Sequence, residues 1–145
     1  GSAANFSAGD TSEITVLYQA NSESTISAYD TIAVNATDDD SATYVFRYEP
    51  GATRASFSAA GVTATNGVVT FSSTFANGVT ARAEAVASNL SNGEAAAFLD
   101  EDSKAYLFVK GSTDNLLVQV GSAAVSAGLT TLAVSAGSAL SFKVD

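Results

Sequence analysis

Two acidic clusters contain the residues best suited to chemistry. The first occupies residues 38–40 and the second residues 100–102, and a further aspartate stands at position 114. Calcium takes about six to eight oxygen ligands, and carboxylates spaced closely in a turn are a common source of them. Solvated hairpin turns that keep strand edges soluble are the alternative interpretation. The predicted calcium ligands are Asp38, Asp39, Asp40, Asp100, Asp102 and Asp114.

The spacing of the second cluster does not match the helix–loop–helix calcium motif. Counting from Asp100, the sixth position is Ala105 instead of glycine and the twelfth is Gly111 instead of glutamate. A calcium site at these residues would therefore not be a helix–loop–helix site.

Residue types that serve most enzymes are missing from this chain. It contains no Cys, His, Met or Trp, so a zinc site built on Cys or His and a Ser-His-Asp or Cys-His device are both excluded. A glycosidase needs two carboxylates about 5–9 Å apart. Pairs such as Asp30 and Glu49 exist, but nothing in the sequence fixes their separation. We predict that the chain is not an enzyme and needs no cofactor other than calcium.

The charge balance argues against polyanionic partners. Fifteen acidic residues stand against six basic ones, which gives a net charge of −9. Binding to nucleic acid requires clustered Lys and Arg, and an anionic membrane surface makes the same demand. No apolar run reaches the length of about 18 residues that a membrane span requires. Neither nucleic acid nor membrane insertion is expected.

Short alternating segments between turn signals predict a chain rich in β-strands. Residues 62–64 and 68–71 flank Asn66-Gly67, a strong hairpin signal because both residues tolerate positive φ. Further hairpins are predicted for 30–36 with 42–49, for 104–110 with 116–120, and for 129–134 with 139–144. Tyr44, Tyr106, Phe46, Phe98 and Phe108 are expected in the core.

The periodicity changes to that of a helix at about residues 78–91. Small apolar residues recur there at helical spacing, Asn77 is suited to the N-cap, and Asn92-Gly93 is a typical stop. Such a thin apolar stripe would be marginal alone and is expected to pack on a sheet.

These elements predict the domain organisation and the fold class. Residues 1–12 are expected to be a flexible arm, of which Gly1-Ser2 resembles a tag-cleavage scar, and residues 13–145 a single domain. The fold is expected to be mainly β with one helix, in a β-sandwich-like or β-roll-like arrangement of short antiparallel strands.

The pattern D-[DE]-D-S-x-x-Y-x-F occurs twice, at residues 38–46 and 100–108. It represents either two copies of a strand–turn–strand unit or convergence on a favourable hairpin. The repeated pattern would gain meaning if the two acidic turns met in space.

Residues 67–121 carry a resemblance to a family. The segments GVVTFSS, an Ala-rich helix, NGEAAAFL, AYLFVKG and DNLLVQVG follow one another there. This series resembles the C-terminal β-rich region of bacterial repeats-in-toxin (RTX) and S-layer-type proteins exported by type I secretion. The nonapeptide calcium repeat of that family is absent, so none of its calcium sites can be placed on residues of this chain.

The resemblance implies a secreted protein of the bacterial cell surface, often calcium-responsive. We therefore expect a non-enzymatic structural or assembly domain of a surface, S-layer or biofilm-matrix protein. Its partners would be copies of itself, other cell-surface proteins or surface polysaccharide. A carbohydrate-binding adhesin module and a C-terminal secretion or capping domain are the alternatives.

Overall fold

The computed structural model of the protein describes residues 3–5, 12–35, 42–48, 50–120, 133–135 and 139–144. Within them the chain forms thirteen strands, one α-helix, α1 (Val79–Asn89), and one short 3-10 helix (Asn21–Glu23). The predicted fold class, mainly β with one helix, is confirmed. In chain order the strands are β1 (Ala3–Asn5), β2 (Ser12–Tyr18), β3 (Asp30–Asn35), β4 (Ala42–Tyr48), β5 (Thr53–Arg54), β6 (Phe57–Ala59), β7 (Val62–Thr65), β8 (Val68–Phe71), β9 (Glu94–Leu99), β10 (Ala105–Val109), β11 (Leu116–Val120), β12 (Ala133–Ser135) and β13 (Ala139–Val144).

The strands form two sheets. The larger has the order β1-β3-β11-β10-β9-β8-β7-β6, with β5 pairing beside β9, and the smaller has the order β12-β13-β4-β2. Three adjacent strands, β9, β10 and β11, run antiparallel at the centre of the larger sheet. All five residues of β10 and all five of β11 are buried. A strand that is covered on both faces is mostly apolar, which explains why these segments do not alternate with polar residues; the exception is Gln119 of β11, a buried polar residue.

One face of the central strands is covered by α1. Ala83 and Val86 of the helix share a buried cluster with Phe98 and Phe108. The helix was predicted at 78–91, so its position is confirmed, but its N-cap is Gly78 rather than Asn77. Gly78 has φ = 102°, a conformation that favours glycine. Small helical side chains let the helix lie close to the sheet.

The opposite face of the central strands is covered by the smaller sheet. Tyr18 of β2 and Phe46 of β4 belong to the same buried cluster as Leu107 and Val118 of the central strands. The two sheets therefore share a core, as in a sandwich, while the helix forms a third layer. Phe46, Phe98, Tyr106 and Phe108 are buried as predicted; Tyr44 lies in β4.

Several predicted pairings are correct and one is wrong. The hairpins β7–β8, β10–β11 and β12–β13 form as predicted. Strands β3 and β4, predicted as a hairpin, do not pair: β3 lies between β1 and β11, whereas β4 lies between β2 and β13. Alternation identifies a strand but carries no information about its partner, and the acidic residues between these two strands lie outside the described residues.

Parallel pairing is a second departure from expectation. The pairs β1–β3, β3–β11, β2–β4, β5–β9 and β8–β9 are parallel, so the arrangement is mixed and not purely antiparallel. Residues 3–5, predicted as part of a flexible arm, form β1 beside β3. A strand this short has no recognisable pattern of its own, which is why the sequence does not reveal it.

Ser24 fixes the loop that precedes β3. The side chain is fully buried. Its hydroxyl donates to the carbonyl oxygen of Leu117 and accepts from the backbone N–H of Asp30 at 2.8 Å. Its own carbonyl oxygen accepts from the N–H of Leu117 at 2.9 Å. One residue thus ties the loop to β11 and to the first residue of β3, which sets β3 parallel to β11.

Replacing Ser24 with alanine should therefore destabilise the protein. The change leaves the buried carbonyl of Leu117 and the N–H of Asp30 without the hydroxyl, at a cost of about 1–3 kcal/mol in the free energy of unfolding. Urea unfolding of Ser24→Ala, compared with the exposed-site control Ser27→Ala, measures this. Equal midpoints for the two variants would contradict the assigned role.

Candidate functional site

The acidic turn at residues 100–103 is held together by Asp100. One carboxylate oxygen, Oδ1, accepts hydrogen bonds from the backbone N–H groups of Asp102 and Lys104, both at 2.9 Å. The other, Oδ2, accepts from the hydroxyl of Tyr106 at 3.0 Å. Both oxygens of this predicted calcium ligand therefore accept hydrogen bonds, Oδ1 from the turn and the residue after it and Oδ2 from Tyr106 of β10. The carboxylate holds the turn against the start of that strand.

Glu101 of the same turn caps the helix. Its Oε2 accepts a hydrogen bond from the backbone N–H of Gly78 at 2.9 Å. Gly78 is the N-cap of α1 and has no side chain that could cap the helix. That bond is the first cause of the lowered pKa of the Glu101 carboxyl, and the charge of Arg82 adds to it. A carboxylate at a helix N-terminus is favoured by the unpaired N–H groups there.

Arg82 of α1 makes a second contact between the helix and the acidic turn. Its Nη1 donates to the carbonyl oxygen of Leu99 at 2.8 Å, where β9 ends. Its guanidinium also lies 4.8 Å from the centre of the Phe71 ring, a geometry in which a cation is attracted by the face of the ring. The acidic turn and α1 are thus connected through two side chains of opposite charge.

Asp114, another predicted calcium ligand, lies far from this turn. The turn at 100–103 precedes β10 and Asp114 follows it, so the two are separated by the length of a five-residue strand, about 15 Å or more. Among the described residues, no three His, Cys, Asp or Glu side chains are grouped so that they could hold a metal ion. Asp38, Asp39 and Asp40 lie outside the described residues, and calcium binding stays a prediction.

Two buried tyrosines of the core each donate a hydrogen bond to a partly buried aspartate. Tyr18 donates to Oδ2 of Asp30 at 3.1 Å, which parallels the bond from Tyr106 to Asp100. In each tyrosine burial raises the pKa of the hydroxyl, and the neighbouring carboxylate raises it further. Asp30, considered above as half of a catalytic pair with Glu49, is engaged by Tyr18; Glu49 is outside the described residues.

A polar cleft at the opposite end of the central strands was not predicted. It has a volume of about 480 Å³ and lies where four segments meet: residues 19–22, the end of β4 with Pro50 and Gly51, residues 92–93, and residues 110–114. The sequence of each segment, taken alone, predicts only an ordinary turn. Their convergence depends on the pairing of distant strands, so no local signal in the sequence reveals it.

Asn21 organises the cleft. Its Nδ2 donates to the carbonyl oxygen of Asp114 at 2.7 Å, and its Oδ1 accepts from the hydroxyl of Tyr48. Gly111 is required beside it, because a Cβ at that position would lie 2.2 Å from Asn21 Nδ2 and 2.0 Å from the carbonyl oxygen of Asp114. The floor of the cleft is therefore a fixed arrangement of backbone and amide groups.

Comparisons with protein-family models, with curated proteins and with solved structures gave no match to this chain. In the part of the chain that the structure describes, no helix is both long enough and apolar enough to cross a membrane. The resemblance of residues 67–121 to RTX and S-layer-type proteins therefore stays a prediction.

Gly111→Ala should disrupt the turn between β10 and β11. The new methyl group meets a backbone oxygen that Asn21 holds in place, and relieving such a clash costs about 1–3 kcal/mol of unfolding free energy. Thermal unfolding of Gly111→Ala against the exposed neighbour Ser112→Ala measures the effect. If Gly111→Ala is as stable as the control, Asn21 and Asp114 can move apart at little cost, and the prediction is wrong.

Glu101→Gln should weaken the cap of α1 in a pH-dependent way. Because its folded-state pKa lies below the ordinary value of 4.5, the charged carboxylate stabilises the fold above that pH, and the benefit disappears as the pH falls through the folded-state pKa. The stability difference between wild type and Glu101→Gln should therefore be present at pH 7 and shrink toward pH 3 in urea unfolding. Glu84→Gln, an exposed helical control, should not reproduce this pattern; if it does, general charge effects explain the result.

Proposed function

We propose that this chain is a non-enzymatic structural domain of a secreted bacterial surface, S-layer or biofilm-matrix protein, and that it associates with copies of itself by strand addition at β2. The resemblance of residues 67–121 supports the extracellular setting. The observation that carries the proposal is the edge of β2, beside which no other described strand lies, together with the absence from β2 of the usual protections.

Strand β2 is the longest of the four strands at the sheet ends. The others, β1, β6 and β12, have three residues each, whereas β2 has seven. It pairs with β4 in an uninterrupted parallel register from Ser12 to Tyr18. On its other side no strand lies among the residues that the structure describes. Short edges offer little to a partner, but a regular seven-residue edge offers a full row of backbone donors and acceptors.

Natural edge strands are usually protected by lysines, prolines, bulges or inward-pointing charges. Strand β2, SEITVLY, contains no Lys and no Pro, and its regular register contains no bulge. Its one charged residue is Glu13. Leu17 is 50% exposed and is the large hydrophobic side chain that the described surface leaves most open. This edge is therefore suited to main-chain pairing, with an apolar contact for specificity.

A second copy fits this edge by symmetry. Two β2 strands paired antiparallel about a twofold axis at Thr15 would set Glu13 opposite Leu17 of the other copy, so the like charges would not meet. The net charge of −9 on each chain opposes close approach. Association should consequently strengthen as salt screens that repulsion, and calcium, by neutralising acidic turns, would act in the same direction.

Light scattering across protein concentration tests the proposal. We expect the wild-type mass to rise with concentration, more steeply in about 0.5 M salt than in 0.05 M. Leu17→Lys, which places a charge on the edge, should remain monomeric under the same conditions. Thr63→Lys adds the same charge to β7, a strand paired on both sides, and should associate like wild type.

Two results would overturn assembly at β2. One is a wild-type chain that stays monomeric at every concentration, with and without calcium. The other is equal association of Leu17→Lys and wild type, which would place any contact elsewhere.

A further inference from the structure

We infer that the polar cleft beside Asn21 binds a neutral polyhydroxylated ligand, such as a segment of surface polysaccharide. This inference does not depend on assembly through β2, because it rests on a different part of the surface. The cleft volume of about 480 Å³ falls within the range of small-molecule sites, roughly 300–1,000 Å³.

The chemistry of the lining selects the class of ligand. Amide and hydroxyl side chains, which both donate and accept hydrogen bonds, predominate, and one carboxylate, Asp114, stands with one ammonium, Lys110. An anion would meet Asp114 and the negative field of the whole chain, whereas a cation would meet Lys110. Ala20 and Pro50 are the apolar side chains of the lining, and the rest of its apolar surface belongs to carbon atoms of the polar residues and glycines. Neutral hydroxyl groups match this mixture of donors and acceptors.

The site is preorganised by groups that a ligand need not rearrange. Asn21 is already bonded to Tyr48 and to the backbone of Asp114, so the floor is set before binding. Gln19 and Asn92 stand exposed at the rim. Tyr48 as a whole residue is only 4% exposed, so its ring cannot serve as a stacking platform. Binding would rely on hydrogen bonds made in competition with water, and a weak affinity follows.

A second depression extends the surface on which a chain of sugars could lie. It has a volume of about 410 Å³, is lined by residues including Thr25, Thr80 and Asn115, and shares Thr113 and Asp114 with the cleft. The turn between β10 and β11 therefore contributes to both depressions. A linear oligosaccharide that crosses this turn could use both, whereas a monosaccharide could use only one.

Amide-resolved NMR titration of the folded chain tests the inference. The probes are linear neutral tetrasaccharides of glucose, galactose, mannose and N-acetylglucosamine, with the anionic tetramer of galacturonic acid for comparison. We expect at least one neutral tetramer to give saturable shifts at residues 19–22, 92–93 and 110–114, with a Kd on the order of 1 mM. The corresponding monosaccharide should bind at least fivefold more weakly.

Exposed-residue variants assign the binding to the cleft. Asn92→Ala and Gln19→Ala should each weaken binding at least threefold, while Asn77→Ala, an exposed asparagine outside the cleft, should leave it unchanged; the spectra report folding directly. Absence of saturable shifts with every neutral tetramer would overturn the inference. So would shifts located elsewhere, equal effects of Asn92→Ala and Asn77→Ala, or tighter binding of the galacturonate tetramer.

Discussion

The requirement to bury both faces of β9, β10 and β11 is the constraint on which the rest of the structure depends. Large side chains such as Phe98 and Phe108 face the helix, and Leu107 faces the smaller sheet; burying each contributes about 2–3 kcal/mol. The alanines of β9 alternate between these two clusters, and their small size lets each covering layer approach. The helix buries only small side chains, Ala83, Val86 and Ala87, and would be marginal alone, so it depends on the surface that the central strands supply. The same strands supply the opposite surface, on which Tyr18 and Phe46 of the smaller sheet pack.

Polar contacts at the ends of these strands determine how the loops lie. At one end the Asp100 carboxylate accepts hydrogen bonds from the backbone of its own turn, and Glu101 accepts one from the N-terminus of the helix. At the other end Asn21 bonds to the carbonyl oxygen of Val109 in β10, and Ser24 bonds to that of Leu117 in β11. The Asn21 hydrogen bonds form the floor of the polar cleft, and the hydroxyl of Ser24 accepts a hydrogen bond from Asp30, the first residue of β3. Stability and the candidate binding surface therefore depend on the same few side chains, so variants that probe binding are best made at the exposed rim.

Local signals in the sequence predicted the local structure. Asn66-Gly67 marked its hairpin, helical spacing marked α1 within two residues at its C-terminal end, and the apolar run around Tyr106 marked the central hairpin. Pairing between distant segments was not predictable, because β3 and β4 look equally suited to each other and to the partners that they adopt. The roles of Asp100 and Glu101 as brace and cap were missed for the same reason: spacing shows that carboxylates are close, but not which backbone N–H groups lie within their reach.

The position of β4 between β2 and β13 has a consequence for the order of folding. Its pairing with β13 joins residues about a hundred positions apart. The chain loses conformational entropy when so long a loop closes, and this loss comes before the new contacts compensate for it. The smaller sheet is thus completed only when the last described strand is present and the central strands offer a surface to dock on. Strand β2 is part of that sheet, so its outer edge takes its final position late in folding. A chain that is still folding would in this way not present the complete edge of β2 until the core beneath the smaller sheet is closed.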